Sequence, residues 1–137
     1  MRTTPSQTVG PFYSIGLCRR SDDVLDPDGV ELRGTLFDGR GDPVHDAMVE
    51  VWDPPARTWG RSSTDGEGGF RFRIRPDAEV LEAFVFARGL LRHQRTRIHL
   101  GHADAAEDPT LVAVGTDGGF LFDIRMQGDQ ATLFFAH

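Results

Sequence analysis

The chain has no lysine, and all 15 of its basic residues other than histidine are arginine. Schiff-base chemistry through a lysine amine is therefore excluded for this chain alone. It has one cysteine, Cys18, so no internal disulfide can form. Nothing near Cys18 in the sequence supports a cysteine–histidine nucleophile. It has one tyrosine, Tyr13, and no His-x-x-x-His pair of the kind that binds zinc from one helix face. No apolar run is long enough to cross a membrane, and no signal peptide is expected. The net charge of −6 argues against a general nucleic-acid binder, which needs a basic face to meet phosphates. Together these point to a cytoplasmic protein that binds neither membrane nor nucleic acid.

What is present reads as short strands and turns. At 137 residues one domain is expected, with enough chain for a core that needs no staple. Phe70-Arg71-Phe72-Arg73-Ile74-Arg75 alternates apolar and basic residues, the pattern of a strand with one face in a core and one in water. Asp65-Gly66-Glu67-Gly68-Gly69 before it is a turn. Leu32, Gly34 and Leu36 alternate in the same way, and 48–52 is a further strand. The run 81–87 is apolar except for Glu82, so both of its faces are expected to be covered. Strands are also expected over 96–100, 120–126 and 131–135, the last two joined by a loop at 127–130. A short helix fits 104–108. The expected architecture is an all-β sandwich over residues 30–137. Residues 1–29 precede it as an arm, with 21–29 as its polar linker. Leu121, Leu133 and Phe135 fall on the opposite phase from Phe120, Phe122 and Phe134, so the last hairpin has apolar groups on both faces. A covering loop and a second chain explain this equally well.

The residues by themselves assemble no complete catalytic set. His99, His102 and Asp104 are spaced so that they can approach a metal, but surface histidines at a strand end account for them better. Arg88 stands out, at the end of the apolar run Phe84-Val85-Phe86-Ala87. A guanidinium there needs an anionic partner, since it cannot be neutralised, and an internal salt bridge would suffice. Arg97 is a similar, weaker case. On these grounds alone the chain reads as a binding module.

Four stretches, however, resemble the intradiol ring-cleavage dioxygenases, and within them the α subunit of the two-subunit enzymes. They are Thr4-Pro5-Ser6-Gln7-Thr8-Val9-Gly10-Pro11-Phe12-Tyr13; the run from Gly39 to Trp52; Phe86-Ala87-Arg88-Gly89-Leu90-Leu91 with Thr96-Arg97-Ile98; and 122–128 with Thr132-Leu133-Phe134-Phe135. They follow the family's order and span nearly the whole chain. The resemblance implies a transthyretin-like sandwich and a mixed α/β oligomer. It implies a ferric ion, Fe(III), held by two tyrosines and two histidines of the β subunit and none bound by this chain. The implied reaction opens a carboxylated catechol with O2 to give 3-carboxy-cis,cis-muconate. With one tyrosine and no His-x-His, the chain cannot supply that ligand set. The positions matching the catalytic histidines are Val80 and Glu82.

By the same resemblance, Thr8, Gly10, Pro11 and Phe12 form part of the substrate pocket wall in the partner subunit. Glycine allows a close backbone approach there and proline stiffens it. Where the family often has tyrosine directly after Gly-Pro, this chain has Phe12, with Tyr13 following. Arg88, helped by Arg97, is implied to favour approach of the substrate carboxylate. Segments 53–60 and 76–79 stand in place of longer family loops. The competing readings are a stand-alone, non-catalytic transthyretin-like module, and a degenerate member that folds alone or as a homodimer.

Overall fold

In the computed structural model, the described residues are 22–87, 93–101, 106, 108–127 and 131–135. They are almost all β. The strands are β1 (Val30–Phe37), β2 (Met48–Asp53), β3 (Thr58–Ser63), β4 (Gly69–Ile74), β5 (Val80–Phe86), β6 (Gln94–Leu100), β7 (Val112–Thr116), β8 (Gly119–Leu121) and β9 (Ile124–Arg125). A 3-10 turn, Pro109–Leu111, precedes β7. It is capped by Asp108, whose carboxylate accepts from the Thr110 hydroxyl at 2.6 Å and from its backbone N–H at 2.8 Å. Those bonds favour the ionised form and hold the Asp108 pKa below its ordinary value.

Hydrogen bonds link the strands in the order β3-β2-β5-β6-β7-β8-β1-β4, with β9 added to β1. The path doubles over, so β3-β2-β5-β6 and β8-β1-β4 face each other. Alternation puts Val49, Val51, Leu81, Ala83, Val85 and Ile98 on the inner face of one layer. Leu32, Leu36, Phe70, Phe72 and Ile74 line the other, and all belong to one buried cluster. Burial of this apolar surface is the main stabilising term. The Phe70–Ile74 alternation is realised as expected, with Arg71 and Arg73 outside.

Several local expectations need correction. β3, which is not among the expected strands, begins inside the segment 53–60 that stands in place of a longer family loop, because only 54–57 forms the turn; Arg57 closes it in a left-handed conformation (φ 57°). β7, at Val112–Thr116, has no counterpart among the expected strands. The expected strand at 120–126 breaks at Phe122-Asp123, and both of its parts pair parallel with β1. Residues 131–135 form no strand; Phe135 makes a single bridge to Arg95 of β6. The short helix expected at 104–108 falls mostly outside the described residues, and the 3-10 turn at Pro109–Leu111 is a separate element that follows it.

Residues 22–26, read as part of a linker, are fastened to the sandwich. Arg61 N–H donates to Asp22 C=O at 2.8 Å, and Arg73 N–H donates to Asp23 C=O at 3.0 Å. Leu25 N–H donates to Arg73 C=O at 2.9 Å, and its side chain joins the core. The segment thereby covers the outer edges of both β3 and β4, which would otherwise present unpaired backbone groups.

Gly34 permits the tightest contact in the core. A Cβ there would lie 1.8 Å from the Phe122 carbonyl oxygen and 2.6 Å from its carbon. Because both obstacles are backbone, relaxation would have to move β1 against the strand break that carries Phe122. Gly34→Ala is expected to lower unfolding free energy by about 3 kcal/mol or more, read from urea denaturation. A loss within experimental error would show that the approach is not needed.

Candidate functional site

β5 positions the residues that the family resemblance singled out. Its inner face is Leu81, Ala83, Val85 and Ala87, all buried. Its outer face therefore carries Val80, Glu82, Phe84 and Phe86, none fully covered. The expectation that both faces are buried thus holds for one face only. Val80 and Glu82 are two residues apart, so their side chains share one side of the sheet. In the register, Glu82 stands between Trp52 of β2 and Arg97 of β6. Trp59 of β3 lies beyond Trp52 and is 51% exposed. A row Trp59–Trp52–Glu82–Arg97 therefore crosses the outer face. Both tryptophans of the chain are in it, a clustering that register rather than motif reveals.

At one end of this row lies a cleft of about 520 Å³. Val80, Glu82 and Arg97 line it from the sheet, Pro54 and Pro55 wall it from the β2–β3 turn, and Arg75 borders it at the end of β4. A larger groove of about 710 Å³ lies on the other layer. It has mixed charge, with Arg33 and Arg71 beside Asp23 and Glu31, and contains none of the expected site residues.

The cleft is held by an ion pair between layers. Arg75 donates to both oxygens of Asp53, from Nε and Nη2, each at 3.1 Å. Asp53 is fully buried at the end of β2, whereas the Arg75 side chain is 28% exposed. The hydrogen bond to Asp53 raises the pKa of Arg75 above its ordinary value, with desolvation opposing, so the guanidinium stays charged throughout the accessible range. The second contact, to Asp77 at 3.3 Å, adds little because that carboxylate is 80% exposed.

The family implies a ferric ion, and the side chains at the matching positions do not fit one. Val80 offers no donor atom. Glu82 stands opposite Arg97 in the strand register and offers one carboxylate where the family's set needs two imidazoles. Among the described residues no three His, Cys, Asp or Glu side chains are grouped to hold a metal. His99 departs from the surface placement expected of it. It is 5% exposed between Val80 of β5 and Val112 of β7, and its ring nitrogens have no hydrogen-bond partner among the described residues. A histidine in mid-sheet is invisible to spacing rules, because its burial depends on which strands flank β6.

Of the expected pocket residues, Thr8, Gly10, Pro11, Phe12 and Arg88 lie outside the described residues, as do His102 and Asp104. Arg97 is on the outer face of β6, partly exposed, with its guanidinium 4.6 Å from the centre of the Phe135 ring. Phe135, whose phase looked anomalous in the sequence, thus packs on the chain's own arginines.

Comparison with known proteins agrees with this architecture. The chain is 31% identical to the protocatechuate 3,4-dioxygenase alpha chain of Burkholderia cepacia over 192 aligned positions, covering 98% of each chain. It is 28% identical to the corresponding alpha chain of Pseudomonas putida, covering 96% of this chain and 95% of that one. The 192 positions exceed the 137 residues here, so the first relative carries insertions that this chain lacks. Among solved structures, the dioxygenase domain of a dioxygenase carbohydrate-binding protein fusion from Streptomyces sp. SirexAA-E has the same fold. It matches with a TM-score of 0.59 at 20% identity, over 92% of this chain and 99% of that one. No family model matches the chain.

The ion pair at the cleft gives a test of the geometry. Arg75→Met keeps the stem but strands a buried carboxylate, and is expected to cost about 3 kcal/mol. Asp53→Leu combined with Arg75→Met should recover much of that loss. A single Arg75→Met change without effect on the urea midpoint would mean that Asp53 is solvated.

Proposed function

The chain belongs to the intradiol ring-cleavage dioxygenase family, and on that premise we propose that it is the non-iron α subunit of a protocatechuate 3,4-dioxygenase. The observation that carries this reading is the donor set at Val80 and Glu82, in a chain that aligns end to end with named alpha chains. A family member with valine and glutamate at those positions needs a companion that holds Fe(III). That companion is a β subunit, and the reactants are protocatechuate and O2, converted to 3-carboxy-cis,cis-muconate. The ring opens at the partner's ferric ion, which supplies the oxygen chemistry, while this chain contributes shape and charge. It acts in the cytoplasm; among the described residues no helix is long and apolar enough to cross a membrane.

The roles within the chain follow from side-chain chemistry. Thr8, Gly10, Pro11 and Phe12 form a wall of the substrate pocket, with no side-chain bulk at Gly10 and the ring of Pro11 to restrict the backbone. Arg88 supplies a permanent positive charge that favours the substrate carboxylate, and Arg97 adds to the same field. Neither needs a change of protonation, so the attraction is constant over the pH range in which the substrate's carboxylate is ionised. A stand-alone module would need no arginine at these positions and no Gly-Pro arm.

The test is kinetic, in the complex reconstituted with a β subunit. Arg88→Ala is expected to raise KM for protocatechuate about tenfold, the worth of one charge-assisted hydrogen bond, while the complex still assembles. An unchanged KM in an intact complex would remove the role of Arg88. Failure of this chain to co-purify with any iron-bearing subunit would favour the stand-alone module instead.

A further inference from the structure

We infer that Gly60 of β3 is the seat of residues 22–25, and that this seat is the fixed base from which the N-terminal arm reaches the partner's pocket. β3 and β4 stand at the two ends of the strand order, so each has a free edge. These edges approach each other where Arg71 N–H donates to the Ser62 hydroxyl at 3.1 Å. Beside that point residues 22–26 run between the edges and bond to both. Asp22 C=O accepts from Arg61 N–H of β3 at 2.8 Å, and Asp23 C=O accepts from Arg73 N–H of β4 at 3.0 Å. The N–H groups of Leu25 and Asp26 both donate to Arg73 C=O, at 2.9 and 3.2 Å. Arg73 Nη1 donates to Gly29 C=O at 2.7 Å, just beyond the segment. One short segment thus takes up edge groups from both layers.

Gly60 makes this possible by its missing side chain. Its φ lies outside the left-handed region, so space rather than torsion calls for glycine. A Cβ there would stand 2.6 Å from Leu25 Cδ1 and 2.7 Å from the Asp22 carbonyl oxygen. The leucine end can swing away. The carbonyl cannot move without leaving the Arg61 N–H, so an added methyl acts on that hydrogen bond. Leu25 is buried in the core cluster, and its side chain holds the segment between the layers while the backbone bonds hold it along the edges. Residues 1–21 join the chain at Asp22, beside the first of these bonds. Phe12 is ten residues before Asp22, a span of at most about 35 Å of extended chain. Loosening at 22–25 adds freedom to that span, and a contact made at its far end must then also meet the cost of ordering its base. Gly60 and Leu25 are therefore positioning residues for the arm.

The link to the pocket rests on the proposed wall role of Thr8, Gly10, Pro11 and Phe12; the seat at Gly60 does not. The first measurement therefore uses the full chain by itself, labelled with 15N and 13C, and reads NMR scalar couplings across hydrogen bonds. The unaltered chain should show the coupling from Arg61 N to the Asp22 carbonyl carbon, and a nuclear Overhauser contact between a Leu25 methyl and the Gly60 Hα protons. Absence of both overturns the seat without any variant. Gly60→Ala should lose the Arg61–Asp22 coupling and keep those of the β5–β6 pairing. A coupling that survives in Gly60→Ala, or a variant that does not fold, overturns the view that the notch acts on this segment alone. The second measurement uses the complex reconstituted with a β subunit. Gly60→Ala should raise KM for protocatechuate about threefold, the ordering cost of roughly one side chain, with kcat retained. In a Phe12→Ala background its effect should shrink, because both changes act on the same arm. An equal rise in both backgrounds, or none in either, overturns the positioning. If Phe12→Ala by itself leaves KM unchanged, the wall role fails, and the coupling result alone upholds or overturns the seat.

Discussion

A buried carboxylate answered by one guanidinium organises this molecule. Asp53 sits fully covered at the end of β2, and Arg75 reaches it from the end of β4 with two hydrogen bonds. The two strands belong to opposite layers, so the pair ties the layers together where the apolar core ends. Such a pair does not by itself add much net stability, because both charges must leave water. Its effect is geometric. It brings the Arg75 side chain to the end of β2, where it borders the cleft beside the two prolines of the β2–β3 turn.

That cleft explains how a family scaffold can persist without the family's metal. The sheet still presents two side chains on one side of β5, two residues apart, as a pair of ligands would require. The residues at those points are valine and glutamate, and the neighbouring strand sets an arginine opposite the glutamate. The cationic position opposite the glutamate is filled by arginine, as is every basic position of the chain other than histidine. Arginine keeps its charge at any working pH, and the absence of lysine leaves no softer cation to take that place.

Much of the sandwich was legible because burial alternates with period two. Phe70, Phe72 and Ile74 announce their strand, and so do Leu32 and Leu36. β3 was not legible, since its inner positions are Gly60, which lies against Leu25, and Ser62, small residues that leave no hydrophobic alternation to read. The end of the chain misled for a different reason. Phe134 and Phe135 look like one strand with two apolar faces, whereas the segment pairs through a single bridge and gives Phe135 to two arginines. The linker at 22–26 was hidden by its polarity, because its backbone rather than its side chains does the fastening. Of the candidate site, the motif match identified Arg97, Val80 and Glu82. It could not show that Trp52 and Trp59 complete their row, since that depends on strand order.

The central claim is that this chain contributes charge and shape to a ring-opening site whose iron another chain holds. Native mass spectrometry of the co-expressed complex tests it most directly, by counting iron against each subunit before and after dissociation. The account predicts iron that tracks the partner and leaves with it, with this chain released metal-free. Iron that remains on this chain after the partner is stripped away would contradict it.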